Sequence, residues 1–329
     1  ITNYYLTVPR QNVETGFWLE SDRMLSLDFS ERSLEVQRGV VMEEFKQRCL
    51  NQPYGDIGHI LRPLAYQTHP YQWPTIGKEL SHIANATLEE VEAFFFRFYA
   101  PNNAILAVTG NISFEEAVAL TEKWFGSIPR REVPQRNLPQ EQTEERRLTV
   151  ERNVPLDSLF MAYHMPAHCH PDYYAFDILS DVLSNGRSSR LSQRLVQQKQ
   201  LFSSIDAYIS GSVDAGLFHI SGKPSAGVTL EQAEAAVREE LYLLQQELVD
   251  EQELEKVKNK FESTQIFGNI NYLNVATNLA WYELLGRAED MEKEVDRYRS
   301  VTAEQLRAVA QSAFRKENGV ILYYKKQQN

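Results

Sequence analysis

The stretch TLEEVEAFFFRFYAPNNAILAVTG, residues 87–110, leads from a helix start through a helix into a strand. Thr87 and Glu90 form a capping box, in which each side chain accepts a hydrogen bond from the other residue's backbone N–H group. The helix that follows carries apolar side chains at Val91, Phe94, Phe95 and Phe98. Residues 104–109 are a short apolar run that ends at Gly110, which predicts a buried strand.

The same order of elements recurs near the end of the chain. Thr302 begins a helix in the sequence TAEQL, 215 residues after Thr87, and that helix leads into a strand at residues 320–324. The pair Leu34-Glu35 opens a long helix predicted over residues 33–50, and Leu254-Glu255 opens another 220 residues later. Two landmarks in the same order at nearly the same offset indicate an internal duplication. Chance stays open as the alternative, because capping boxes are common.

A change in composition separates the two copies. Residues 129–147 place Pro129, Pro134 and Pro139 among Arg, Gln and Glu, which is typical of a semi-rigid linker. Strands predicted at residues 148–152 and 158–163 follow it, and neither block shows the short alternation of a doubly wound sheet. We therefore expect the fold class α+β, with two homologous domains at residues 1–128 and 148–329. Each would be a mainly antiparallel sheet with helices packed on one face.

The first domain is expected to be incomplete. Residues 1–8, ITNYYLTV, already have the composition of a strand. The second block has about 100 residues before Leu254, whereas only 33 precede Leu34. Because repeats share one fold, roughly 70 residues of the first domain should lie upstream of Ile1.

Composition excludes several classes of function. Asp and Glu number 45 against 34 Lys and Arg, which gives a net charge of −11. Such an acidic chain is poorly suited to bind nucleic acid or an anionic membrane, since both are polyanions. No apolar run approaches the roughly 20 residues that span a bilayer. The two cysteines exclude a disulfide scaffold, and the phosphate-binding and serine-nucleophile motifs are absent.

Glu44 is the most informative polar residue. On a helix over residues 33–50 it shares one side with Val36 and Val40, at the edge of the apolar face, whereas Glu43 points further round. A half-buried carboxylate needs a cation, a proton or hydrogen-bond donors. Two interpretations remain: an ion pair with Arg48, one helical turn away, or a metal ligand. Helix geometry alone favours the ion pair.

Two further motifs have the atoms for a site but not a supporting pattern. His164, His168 and His170 flank Cys169, and these residue types suit zinc, but nearby prolines prevent a helical spacing. A polar loop at a strand end is favoured there. His69 is expected to order its own loop. The turn around Gly186 could bind an anion through backbone amides, and the favoured alternative is an ordinary helix start.

Six segments together resemble the insulinase/pitrilysin family of zinc metallopeptidases, the inverted zincins. They follow in the family's order over nearly the whole chain: TNYY (2–5), ESDRM (20–24), QRGVVMEE (37–44), HPYQWPTIG (69–77), FYAPNN (98–103) and GRSSRL (186–191). Each motif alone is weak, but six in order are a strong signal. The resemblance implies a peptidase in two-domain form that works on unfolded peptides held in a chamber between domain pairs.

The resemblance also implies a zinc site. In this family two His of a His-x-x-Glu-His helix bind zinc, the Glu between them acts as general base, and a third ligand Glu follows roughly 75 residues later. Carried onto this chain, the third ligand is Glu44, which reverses the preference for an ion pair. Thr264 occupies the equivalent position in the second block, so that copy is expected to bind no metal.

Two departures from the family pattern matter. His-x-x-Glu-His is absent, and the spacing would place it upstream of Ile1, so the 329 residues alone are expected to be inactive and to hold no zinc. Where many members carry an Arg and a Tyr that position substrate, this chain has Val196 and Ser203. Gln37 stands where some members have a second acid, and it receives no catalytic role. Lacking the Arg and Tyr, the chain resembles the zinc-carrying kind of subunit.

The sequence therefore predicts most of a zinc metalloendopeptidase that hydrolyses peptides and forms a homodimer or pairs with a related subunit. The alternative is a non-catalytic scaffold or partner subunit with the same fold, because folds outlive their chemistry. The peptide preference and the compartment, cytoplasmic or periplasmic, stay open.

Overall fold

A computed structural model describes residues 1–133, 142 and 144–327. The described residues form two compact units. The first draws on residues 1–45, 79–137 and 264–293, and the second on residues 46–78, 138–263 and 294–329. Within the described part of the chain, no helix is long and apolar enough to cross a bilayer.

The first unit is mainly helical. In the second unit, the unit's own helices cover the sheet. In chain order the helices of the two units are α1 (Val13–Leu25), α2 (Glu31–Phe45), α3 (Ile57–Ala65), α4 (Leu80–Ala84), α5 (Leu88–Phe98), α6 (Phe114–Phe125), α7 (Tyr173–Ser184), α8 (Leu230–Gln246), α9 (Glu251–Gly268), α10 (Tyr272–Leu285), α11 (Glu294–Ser300) and α12 (Ala303–Ala313).

The second unit contains a five-stranded sheet. Its strands are β1 (Arg146–Arg152), β2 (Ser158–Met165), β3 (Phe202–Ser210), β4 (Gly216–Pro224) and β5 (Gly319–Lys326). The spatial order is β1-β5-β2-β4-β3, with β1 parallel to β5 and every other pair antiparallel. This mainly antiparallel sheet with its many helices confirms the α+β fold class.

The central strands of the sheet are buried on both faces. One face packs on α7, α8 and α12, and alternate residues of β5 such as Ile321 and Tyr323 point to it. Val320 and Leu322 point to the other face, where Leu61 and Ala65 of α3 cover them. Burial on both faces explains why β5 reads as a continuous apolar run instead of alternating with polar residues. The expectation of helices on one face is thus met by α7, α8 and α12, and α3 adds a cover on the other.

Local signals placed the helix starts correctly. Thr87 and Glu90 form the reciprocal capping box before α5, and Thr302 and Gln305 form another before α12. A third box, Thr229 with Gln232, starts α8 and was not among the sequence predictions. Side-chain acceptors satisfy N–H groups that a helix terminus leaves without a partner, so these residues favour a helix start.

Two strand predictions in the first block are wrong for the described structure. Residues 1–8 and 104–109 join no ladder there, and Ile105 and Leu106 are 40% and 48% exposed. A strand is stabilised only by neighbouring strands, and in the first unit no described segment supplies one. The long helix predicted over residues 33–50 is α2 followed by a π-helical turn at Lys46–Leu50.

The homologous-domain boundaries 1–128, 129–147 and 148–329 describe a duplication, which a grouping by contacts does not test, so they stay a prediction. Most of the predicted linker, residues 134–141 and 143, lies outside the described residues.

Candidate functional site

Glu44 lies at the end of α2. Its side chain is half-buried, while that of Glu43 beside it is exposed, as the helical phase predicted. The α-helix ends at Phe45, and the chain continues as one π-helical turn that buries Cys49. Single π turns attached to α-helices are rare and are found frequently at functional sites. The arrangement presents one carboxylate from a well-formed helix.

A zinc site needs more donors than Glu44 supplies. Catalytic zinc is held by three protein ligands with water in the fourth position. Among the residues that the structure describes, no group of three His, Cys, Asp or Glu is placed to hold a metal ion. The described residues therefore fit one part of a zinc site, its carboxylate, and Glu44 as a metal ligand stays a prediction.

His69 orders the loop that carries it. Its Nδ1 accepts a hydrogen bond of 3.1 Å from the backbone N–H of Tyr71 and so caps the short 3₁₀ turn Pro70–Gln72. Its Nε2 lies 3.3 Å from Oδ2 of Asp214, close enough for electrostatic attraction. The Tyr71 hydroxyl donates to Oγ of Ser212 at 2.7 Å. These contacts confirm the loop-ordering role predicted for His69.

The histidines around Cys169 have separate structural surroundings. His164 lies within β2, with its Nε2 3.1 Å from the carbonyl oxygen of Ala65 and 3.1 Å from Oε1 of Gln142. Both neighbours accept hydrogen bonds, so Nε2 carries the proton. Burial lowers the pKa of His164 to about 4, which keeps the ring neutral. His168 is buried in the loop after β2, while Cys169 and His170 are exposed. The loop at a strand end was correctly predicted for residues 168–170.

The turn at Gly186 starts a helix and is held by side chains. Gly186 has φ +88°, a left-handed conformation that glycine adopts without strain. Oγ of Ser189 donates to the carbonyl oxygen of Gly186 at 2.7 Å. Arg190 forms a two-pronged ion pair with Glu253 of α9, with Nη2 2.8 Å from Oε2. Arg190 thus anchors the turn to α9, which confirms the helix-start interpretation.

The positions of the family's Arg and Tyr have structural roles here. Val196 packs against the main core and lies in a π-helical segment, Ser192–Gln198. The Ser203 hydroxyl donates to the backbone oxygen of Lys223 in the neighbouring strand. Neither side chain carries a charge or ring with which to position a substrate.

A buried charge cluster was missed by the sequence analysis. Glu234 on α8 accepts hydrogen bonds from Arg147 at 2.5 Å, from Arg238 at 2.7 Å and from the Tyr323 hydroxyl at 2.6 Å. Arg238 also donates to Glu145 at 2.5 Å. The helical spacing of Glu234 and Arg238 was the local signal available, but β1 and β5 supply the other donors through the fold.

Comparison with known proteins settles the family. The sequence model described as Peptidase M16 inactive domain matches residues 85–261, more than half of the chain, so this chain belongs to the peptidase M16 family. The assignment confirms the resemblance to a family of zinc metallopeptidases.

Several relatives carry the name zinc protease. The chain is 28% identical to zinc protease PqqE of Helicobacter pylori over 78% of its own length and 59% of the relative's. It is 25% identical to the uncharacterized zinc protease YmxG of Bacillus subtilis, over 98% of this chain and 78% of that one. The crystal structure of a protease from Helicobacter pylori matches with a TM-score of 0.90 at 26% identity, covering 97% of this chain and 78% of that chain. The chain thus spans between about three fifths and four fifths of these relatives.

Proposed function

We propose that this chain is most of a zinc metalloendopeptidase of the M16 family, with Glu44 as the third zinc ligand. The similarity to proteins named zinc proteases carries the proposal, because it extends over 98% of the chain in the Bacillus subtilis relative. The two His ligands and the general base would come from a His-x-x-Glu-His segment outside the 329 residues.

The position of Glu44 supports the proposal. A metal ligand must be held by its backbone in one place, and a residue on a helix is held better than one on a loop. Glu44 sits on α2, and its side chain is half-buried. When bound, zinc supplies a polarised water as nucleophile. The contribution of this chain is the orientation of one carboxylate.

Apolar side chains of the first unit also support it. Ile105 and Leu106 lie in a segment with strand composition that pairs with no described strand, and both are substantially exposed. Exposed apolar side chains in a segment of this kind are expected where another part of the protein packs. Further sequence that pairs with residues 104–109 would complete the predicted sheet of the first domain.

Membership of the M16 family motivates our proposal for substrates and partners. We propose peptides as substrates, and a homodimer or a related partner subunit as the assembly. A second candidate function is a non-catalytic partner subunit with the same fold, favoured by one observation: the model that matches residues 85–261 is that of an inactive domain.

A peptidase assay on the full-length protein tests the proposal. We expect cleavage of an unfolded peptide, loss of cleavage on adding a zinc chelator, and recovery when zinc is returned. The assay is repeated after separating the assembled protein into its subunits, which tells whether one kind of subunit suffices. No cleavage by the intact assembly, or cleavage that the chelator leaves unchanged, contradicts the metallopeptidase proposal. Absence of cleavage together with zinc-free protein would support the non-catalytic subunit.

A further inference from the structure

One face of α2 carries Val36 and Val40 and is both apolar and open. The two valines lie about one helical turn apart, and their exposed fractions are 57% and 56%. Gly39 is on the same side of α2, and a Cβ atom built there would meet no described atom outside the helix's own backbone within 4 Å. Glu44 follows Val40 by one further turn. The face therefore leads up to the proposed zinc ligand and has room for a close neighbour.

The corresponding face of the second block is charged. The offset of 220 residues between the two blocks pairs Val36 with Lys256 and Val40 with Lys260, both on α9. Both lysines are exposed, as the two valines are. Isolated apolar residues are ordinary on a protein surface, but here both members of a matched pair are lysine in one copy and valine in the other. This difference favours a cover over the valine face in the complete protein.

In the second unit, a turn contacts this face of α9. Nζ of Lys256 lies 3.1 Å from Oγ of Ser188. Arg190 of the same turn forms its ion pair with Glu253, about one helical turn before Lys256. The turn comes directly after α7. Because repeats share one fold, a similar turn is expected to contact the matching face of α2.

The counterpart of that turn in the first block falls outside the 329 residues. Shifted by the same offset, Ser188 corresponds to a position about 30 residues before Ile1. The His-x-x-Glu-His helix is expected in the same place, since it precedes Glu44 by roughly 75 residues in the family pattern. The internal repeat and the family motif therefore bring the same upstream segment to α2.

A zinc site would require the same approach. All ligands of one zinc ion contact that ion, so a helix that carries two His ligands must lie alongside α2 near Glu44. Helices that pack side by side do so through apolar side chains and close approach of their backbones. Val40 and Gly39 offer these features within about one turn of Glu44.

We propose that Val36 and Val40 form the docking face for the upstream segment that carries the His-x-x-Glu-His helix and the turn after it. The proposal rests on the proposed zinc site and adds the residues that hold the His ligands against Glu44. Val36 and Val40 are positioning residues, because they contact the segment and neither zinc nor substrate. The face is covered in the full-length protein whether or not a peptide or a second copy is bound.

Thiol labelling of the full-length protein tests the docking face. The exposed Cys169 is first replaced in the variant Cys169→Ser, which also supplies the background rate. Single cysteines are then introduced by Val36→Cys, Val40→Cys and Lys260→Cys. Lys260→Cys is the matched control, because Lys260 is exposed on the face of α9 that corresponds to Val40 on α2.

The labelling rates carry the result. We expect N-ethylmaleimide to modify the cysteines at positions 36 and 40 at least about tenfold more slowly than the cysteine at position 260, since a covered thiol reacts only when its cover opens locally. Labelling at either valine position as fast as at the control overturns the proposal.

Other occupants of the face give different results. If a second copy covers it, protection disappears when the protein is diluted until it is monomeric. If a substrate covers it, protection develops only after an unfolded peptide is added. Either result overturns the proposal.

A zinc measurement on the same samples separates this proposal from the proposed function. Fast labelling in protein that contains zinc refutes the docking face and leaves the zinc site standing. Slow labelling in zinc-free, inactive protein supports the docking face and counts against the metalloendopeptidase.

A further variant needs no labelling. Val40→Lys gives α2 the residue that α9 carries at the corresponding position. It should lower the melting temperature of the full-length protein by several degrees, because the lysine charge would be buried under the docked segment. An unchanged melting temperature would contradict a covered face.

Discussion

Glu234 stays charged in the interior because three donors surround it. Burial alone would raise its pKa, but hydrogen bonds from Arg147, Tyr323 and Arg238 outweigh burial and lower the pKa to about 2. The Arg147 guanidinium also holds β1 close to α8. Removing one charged member of this cluster leaves one of the remaining charges uncompensated, and an uncompensated buried charge is strongly destabilising.

The first prediction concerns acid stability. Because the folded pKa of Glu234 lies below the ordinary value of 4.5, its stabilisation is present above pH 4.5 and is lost as the pH falls towards 2. Glu234→Gln should lower the unfolding free energy at pH 7 by about 3 kcal/mol and flatten its dependence on pH between 5 and 2. Urea denaturation at a series of pH values measures both. Glu231→Gln, at an exposed position of the same helix, is the control, and an equal loss there would refute the explanation.

The second prediction concerns His219, a buried histidine whose ring is neutral in the folded protein. Burial, aided by the charge of Arg62, lowers the pKa of His219 to about 4. In the unfolded chain the ring takes up a proton below about pH 6.5, while in the folded chain it does not, so stability falls as the pH drops from 6.5 towards 4. The loss is at most about 1.4 kcal/mol per pH unit for this histidine.

His219→Gln should therefore reduce the slope of unfolding free energy against pH in that window. His170→Gln, an exposed histidine, should leave the slope as it is. Thermal or urea unfolding at half-unit pH steps from 7 to 4 measures the slopes. Equal slopes for the His219 variant and the unsubstituted protein would be incompatible with a buried neutral ring.

At the level of helices and strands, the sequence predicted correctly the features that depend on residues close together in the chain. The capping box before α5 was predicted correctly because Thr87 and Glu90 are three residues apart and bond to each other. Three strands of the second unit, β1, β2 and β5, were predicted from local composition and have their partners in the sheet, whereas β3 and β4 were not predicted. Residues 104–109 have the same local character but no described partner, so the same reasoning failed there.

Contacts between distant segments had no local signal. Nothing in the sequence of α3 shows that it covers the face of the sheet that carries Val320 and Leu322. The partners of Glu234 come from β1, α8 and β5, which meet only in the folded chain. For Glu44 the helical phase gave its half-buried position, but the metal role came only from the family resemblance.

The third prediction concerns the turn at Gly186, which precedes the π-helical segment Ser192–Gln198. Arg190 and Glu253 have side chains that are 10% and 19% exposed, so their ion pair is largely shielded from water. Arg190→Met should lower the unfolding free energy by about 2 kcal/mol, between the values for exposed and buried pairs. Arg187→Met in the same turn is the control, since Arg187 is exposed and its side chain forms no ion pair with a described residue. Chemical denaturation compares them, and equal losses would contradict an anchoring role for Arg190.

At the level of the whole molecule, the two compact units do not follow chain order. Residues 46–78 contribute α3 to the unit that contains the sheet, although they precede the predicted linker. Residues 264–293 belong to the helical unit, although they follow the sheet strand β4. A chain that returns to both units cannot be cut at one position without breaking packed contacts. We therefore expect a clean cut at residues 129–147 to destabilise both halves.

The zinc content of the full-length protein tests the account's central claim most directly. The fourth prediction is one zinc ion per chain in the unsubstituted protein, loss of zinc in Glu44→Gln, and retention of zinc in Glu43→Gln. The two glutamates are neighbours on α2, and they differ in exposure. Because each substitution removes one negative charge at the end of the same helix, their effects on folding should be similar, and circular dichroism checks this.

The zinc content per chain is measured by elemental mass spectrometry after the protein has been dialysed against metal-free buffer. Zinc in the unsubstituted protein and in Glu43→Gln but not in Glu44→Gln is the predicted result. Zinc-free unsubstituted protein, or zinc retained in Glu44→Gln, would contradict the account and return Glu44 to an ordinary helix-surface residue.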